Sequence, residues 1–110
     1  MTKVYEHLQP IEKTIVDKAI DLYLAAGFEV MVIDEEDVMQ EWVKDRDLIR
    51  QAIGHSGENS LRFRKGEERA VLIFTWGNGA DCYSDGGAFG QEAAEIENNF
   101  MAFLTTKEAA

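Results

Sequence analysis

Residues Arg69 to Trp76 constrain this chain more than any other stretch. Val71, Ile73 and Thr75 alternate with Ala70, Leu72, Phe74 and Trp76, so an extended segment here is apolar on both faces. Such a strand belongs inside a sheet, covered on each side at least in part. Gly77-Asn78-Gly79 follows, three positions that tolerate positive φ and fit a tight turn or bulge. Ala80 to Ser84 then reads as a short fifth strand, Asp85-Gly86-Gly87 as its end, and Ala88-Phe89-Gly90 as a linker.

The flanking segments supply the partners that this strand needs. Pro10 suits the first position of a helix and Gly27 its terminator. Between them Ile11, Ile15, Ala19, Tyr23 and Ala26 recur at helical spacing, while Glu12, Lys13, Asp17, Lys18 and Asp21 fill the opposite face. Phe28 to Ile33 is a β-branched strand. Val38 to Lys44 suits either a helix, with Val38 and Trp42 spaced by four, or the return strand of a hairpin. The hairpin is preferred because the connection is short and the preceding strand needs a neighbour. Asp45 is a candidate N-cap for a short helix carrying Leu48, Ile49, Ala52 and Ile53. Ser60 to Lys65 alternates, with Leu61 and Phe63 inward and Arg62 and Arg64 outward. From Gln91 to Leu104 a second long helix buries Ala93, Ile96, Phe100, Met101, Phe103 and Leu104, and the tail from Thr105 to Ala110 frays. The expected fold is one α+β domain, residues 1–110. A mainly antiparallel sheet of four to five strands carries the terminal helices, in the order α-β-β-α-β-β-α.

Charge narrows the function classes. The net charge is −10, from 11 basic and 21 acidic residues. Lys44, Arg46, Arg50, Arg62, Arg64, Lys65 and Arg69 outnumber the five acids between them, so residues 44–69 are net +2 and the rest of the chain is −12. A field of that sign repels nucleic acid and anionic membrane and favours a cationic protein surface. One cysteine, Cys82, excludes an internal disulfide and suits a reducing compartment. The opening residues MTKVYEHLQP lack the apolar core of a signal peptide, and no run reaches the roughly 18 apolar residues of a membrane span. The expectation is a cytoplasmic protein.

No catalytic constellation stands out. One cysteine with His7 and His55 cannot build a zinc site unaided, and Asp34-Glu35-Glu36-Asp37 lacks the glycine of a calcium loop, so neither metal nor cofactor is expected. Gly77-Asn78-Gly79 has no following Lys-Ser/Thr to cradle a phosphate. Cys82 lies between Asp81 and Asp85, which discourages a thiolate. If Ala80 to Asp85 is extended, Asp81, Tyr83 and Asp85 project to one face beside Asn78. These four residues are the candidate interaction site: an acidic edge able to take a guanidinium or cation, or simply a charged edge strand protected from aggregation.

The run from Trp42 to Ile53, a paired strand, and Gly77-Asn78-Gly79-Ala80-Asp81-Cys82-Tyr83-Ser84-Asp85 resemble small acidic α+β proteins of bacteria, phages and plasmids. The likeness spans roughly residues 28 to 87 and implies no catalytic residues. These readings lead to a non-enzymatic interaction module that docks on a basic protein partner, with an inhibitor imitating the charge of nucleic acid as its sharper form. The alternative is a small enzyme or ligand-binding domain using Asp81, Tyr83 and Asp85, with His55 as a possible base. A homo-oligomer is also compatible with the apolar pattern.

Overall fold

A computed structural model describes residues 8–108 as α1 (Pro10–Ala25), β1 (Glu29–Asp34), β2 (Asp37–Val43), α2 (Arg46–Gln51), β3 (Glu58–Lys65), β4 (Glu68–Thr75), β5 (Tyr83–Phe89) and α3 (Gln91–Glu108). The five strands form one antiparallel sheet in the order β2-β1-β3-β4-β5. The fold is α+β, as the hydrophobic periodicity implies. Expectations about the first seven residues, His7 included, and about residues 109–110 fall outside the described residues.

All three helices lie on one side. Tyr23 of α1 stacks on Phe63 of β3, with ring centroids 4.0 Å apart, and meets Phe28 edge-on at 5.1 Å. Phe100 of α3 meets Phe74 of β4 at 6.3 Å and Tyr83 of β5 at 5.4 Å. α2 is tied to α1 by ion pairs from Arg46 to Asp21 (2.7 Å) and from Arg50 to Asp17 (2.8 Å), and buries Ile49 in the same core. The molecule measures 36 × 34 × 22 Å, and its short dimension has room for a sheet and one helical layer only.

β4 is an inner strand flanked by β3 and β5, but helices cover only one of its faces. Ala70, Leu72 and Phe74 are buried, whereas Val71, Ile73 and Thr75 are half-buried on the uncovered side. The hairpin reading of Val38 to Lys44 holds, with Val38 opposite Ile33 and Val43 opposite Val30. Two register shifts interrupt its alternation.

Five expectations are corrected. β5 begins at Tyr83 rather than Ala80, and Gly79–Asp81 is a single 3-10 turn. The supposed linker continues the strand, with Ala88 opposite Ala70 and Phe89 opposite Arg69. Gly86 makes this possible: a Cβ there would sit 2.7 Å from the Val71 carbonyl, so only glycine lets the strands approach. Glu12, assigned to the solvent face of α1, is buried. Met101 is 42% exposed rather than part of the core stripe. Finally, α3 does not fray at Thr105: the hydroxyls of Thr105 and Thr106 donate to the carbonyls of Met101 and Phe103 and sustain the last turn.

Candidate functional site

The four residues singled out at the β4–β5 connection do not converge. Asn78 lies in the turn and donates from Nδ2 to the Thr75 carbonyl at 3.1 Å. Asp81 is exposed on the 3-10 turn. The Tyr83 ring faces the helices, edge-on to Phe74 at 5.8 Å and to Phe100 at 5.4 Å. Asp85 is exposed opposite Ile73 on the uncovered face, and its Oδ1 accepts from the Gly86 amide. The common face expected for Asp81, Tyr83 and Asp85 is lost because the helical turn and the register shift beside Phe74 break the alternation. His55 lies near the opposite edge, lining a small hollow with Met39 and Leu48, and its Nε2 donates to the Gln51 carbonyl at 2.8 Å.

The turn itself is built around a residue that helical periodicity misplaced. Pro10 and the capping box at Gln9 set Glu12 in the first turn of α1, where its Oε1 accepts from the Gln9 amide at 3.0 Å. Its Oε2 accepts from the amides of Gly77 (2.7 Å) and Asn78 (3.1 Å). Gly77 has φ +93°, a conformation that presents these successive N–H groups to one anion. A run of glycines with no phosphate motif was the available signal for such an internal anion site. Burial also subdues the neighbouring nucleophile: desolvation, then the Glu12 and Asp81 carboxylates, push the Cys82 thiol up to about 12. Desolvation and the nearby Glu97 carboxylate likewise raise the phenols of Tyr23 and Tyr83. Among the described residues, no group of three or more His, Cys, Asp or Glu side chains is placed to hold a metal ion, and no helix is long and apolar enough to cross a membrane.

What the structure brings together instead is the uncovered face of the sheet. The strand registers lay it out in rows across the strands. Glu29, Arg64, Arg69 and Phe89 form the first row; Met31, Arg62, Val71 and Gly87 form the second, beside Trp42 of β2. Val38, Ile33, Ser60, Ile73 and Asp85 form the third, and Glu58 and Thr75 the fourth. The solvated face of an antiparallel sheet is ordinarily polar, yet the middle two rows of this one hold Met31, Ile33, Val38, Val71 and Ile73 beside Trp42. Phe89 is 72% exposed and Val38 48%.

The first two rows carry the positive charge. Arg64 holds its guanidinium 4.2 Å from the Trp42 ring centre and donates from Nε to Glu29 at 3.0 Å. Arg69 donates to the carbonyls of Gly66 (2.6 Å) and Glu68 (2.7 Å) in the β3–β4 turn. Neither Arg62 nor Arg69 has a carboxylate partner among the described residues. Between Trp42, Arg62, Arg69 and Phe89 lies an open trough of about 550 Å³, floored where Gly87 has no side chain and lined by no carboxylate. The far end is acidic, with Asp85 and Glu58 in its rows and Glu35, Glu36 and Asp37 exposed in the β1–β2 turn beyond. In comparisons with models of known families, with curated proteins and with solved structures, nothing matches this chain.

Proposed function

We propose that this protein is a non-enzymatic protein-interaction module whose docking surface is the uncovered face of its sheet. One observation carries the reading: half-exposed Met31, Ile33, Trp42, Val71 and Ile73 form an apolar band next to arginines, on a face where a solitary protein would place polar residues. Aromatic residues, Met and Arg are the types enriched in protein interfaces. Supporting it, Tyr83 faces the helices while Asp85 stands on the uncovered face, and the buried Glu12 is occupied in holding the fold.

The basic partner surface called for by the net charge has a place in this reading. It would meet the acidic end of the face at Asp85, Glu58 and the β1–β2 turn. An inhibitor imitating nucleic acid would present that same end to a basic cleft. The test is affinity capture at low salt with the wild-type chain and with Ile73→Glu, which places a charge in the apolar band. Proteins bound through this face, including further copies of the chain itself, should be retained by the wild type and lost from the variant. Equal retention by both would refute the assignment of the face.

A further inference from the structure

We infer that the occupant of this face is a second copy of the same chain, packed sheet to sheet in a symmetric dimer; the inference rests on the docking surface proposed above and names its partner. Charge and apolar residues are ordered along the strands. Arg64 and Arg69 stand in the first row and Glu58 in the fourth, with the apolar band between them. The face is therefore polarised along the strand direction, basic at one end through Arg62, Arg64 and Arg69 and acidic at the other through Asp85 and Glu58.

A two-fold axis between two such faces can run along the strands or across them. An axis along the strands, through the middle strand β3, keeps each row over itself and sets Arg62, Arg64 and Glu58 each against its own copy, which like charges oppose. An axis across the strands keeps each strand over its own copy but reverses its direction. The first row then lies over the fourth, and the second over the third. Arg64 meets Glu58 of the second copy, Met31 meets Ile33, Val71 meets Ile73 and Trp42 meets Val38, each contact occurring twice. The aliphatic residues of the middle rows meet one another, Arg62 meets Ser60, and Arg64 meets Glu58 at both rims, each contact repeated as an isologous interface requires. Sheets stacked this way pack aligned, their strands offset by about 30° through the natural twist.

The size also suits a dimer. Five strands about 4.8 Å apart and about six residues long span roughly 24 × 20 Å. That is on the order of 500 Å² in projection, and side-chain relief brings it towards the roughly 800 Å² per partner of a standard interface. Two layers become four, and the apolar band becomes a second core. The chain's charge of −10 is no obstacle, because most of its carboxylates lie outside the middle rows.

Sedimentation equilibrium on the full chain tests this directly. The expected mass is twice the 12.4 kDa of one chain. Ile73→Glu and Met31→Glu should each weaken the dimer by roughly 100-fold or more, the scale of a central interface residue, with the far-ultraviolet circular dichroism unchanged. Glu58→Arg, at an exposed strand end, should weaken it by a smaller factor that shrinks as salt is raised. To fix the axis, a chain carrying Val71→Cys is mixed with one carrying Ile73→Cys and treated with a short bis-maleimide. The buried Cys82 stays protected, and a 71–73 cross-link is expected. A cross-link from Val71→Cys to Met31→Cys in its place would mean the other axis and overturn the arrangement. A monomer at all concentrations would overturn the dimer. If that monomer still captures another protein or an oligonucleotide through the same face, the occupant is something else; a protein so captured leaves the docking reading standing without the dimer. A dimer indifferent to Ile73→Glu and Met31→Glu would place its interface elsewhere and refute both.

Discussion

The two faces of β4 are built from similar residues and lead different lives. Ala70, Leu72 and Phe74 are sealed beneath the helices, while Val71, Ile73 and Thr75 stand on the uncovered side at the alternating positions of the same strand. Sequence patterning treats the two sets alike, since it reports apolarity and not cover. The difference lies in what packs on each face. Two long helices and α2 all fall on one side, and among the described residues no element is left for the other. Apolarity without cover inside the chain points to cover from outside it.

Truncations should divide β4 accordingly. Leu72→Ala and Phe74→Ala each empty part of a closed core and should cost about 3–5 kcal/mol, read as a lowered urea midpoint. Ile73→Thr, one residue away and still β-branched, should stay within about 0.5 kcal/mol in dilute protein. If the two classes cost the same, the faces are not different, and the uncovered side is as closed as the covered one.

The next effect is at the β4–β5 turn. Glu12→Ala leaves the amides of Gly77 and Asn78 without their acceptor and should cost about 1–3 kcal/mol, whereas Glu12→Gln keeps a carbonyl acceptor and should recover part of the loss. Amide exchange at Gly77 and Asn78 should rise in the alanine variant while the open face is unchanged. That result would confine the damage to the covered side.

These residues also show how far the chain can be read from its letters. Leu61 and Phe63 inward with Arg62 and Arg64 outward was legible, because an alternating strand has only one amphipathic placement. The hairpin and the terminal helices followed from periodicity in the same way. The candidate site was not legible, for two reasons. Asp81, Tyr83 and Asp85 were assigned to one face by assuming unbroken extension, and a 3-10 turn at Asp81 with a register shift between Tyr83 and Asp85 separated them. The uncovered face arises only when five strands are placed side by side, bringing together Trp42, Arg62, Arg69 and Phe89 from four separate strands. No local pattern encodes that meeting. Glu12 was missed because a charged residue beside Pro10 looks solvated until its backbone partners, about 65 residues later, are known.

Alkaline pH should also separate the faces. The folded chain holds Cys82 up at about 12 against an ordinary 9.0, and raises Tyr23 and Tyr83 as well, so each stays neutral where the unfolded chain would ionise. Groups raised in this way contribute their full stabilisation below the unfolded-chain value and lose it as pH climbs towards the folded value. Stability should therefore begin to fall above about pH 9, measured by urea titration, and Cys82→Ala should flatten the first part of that fall. The titrating groups belong to the covered side, whereas the rows of the open face carry only arginines and carboxylates. A dimer held by that face should keep its association constant over the same interval until the chain itself unfolds.

The smallest effect concerns Arg64, which lies over Trp42 and pairs with a half-exposed Glu29. An exposed cation–π contact is worth about 0.5–1 kcal/mol and a surface ion pair about 0–1. Arg64→Ala should thus lower the stability of dilute chain by about 1 kcal/mol or less, while Trp42 emission shifts to the red as the guanidinium no longer shields the ring. Arg64→Lys keeps the charge but not the planar cover, and should restore the ion pair more fully than the emission. The value of this variant lies in the disproportion between folding and association. Arg64 stands opposite Glu58 in the proposed dimer, so a residue worth little to one chain should matter more to two. If Arg64→Ala changes folding and self-association by the same small amount, the arginines are ordinary surface charge, and the contrast between the two faces of the sheet reduces to cover alone.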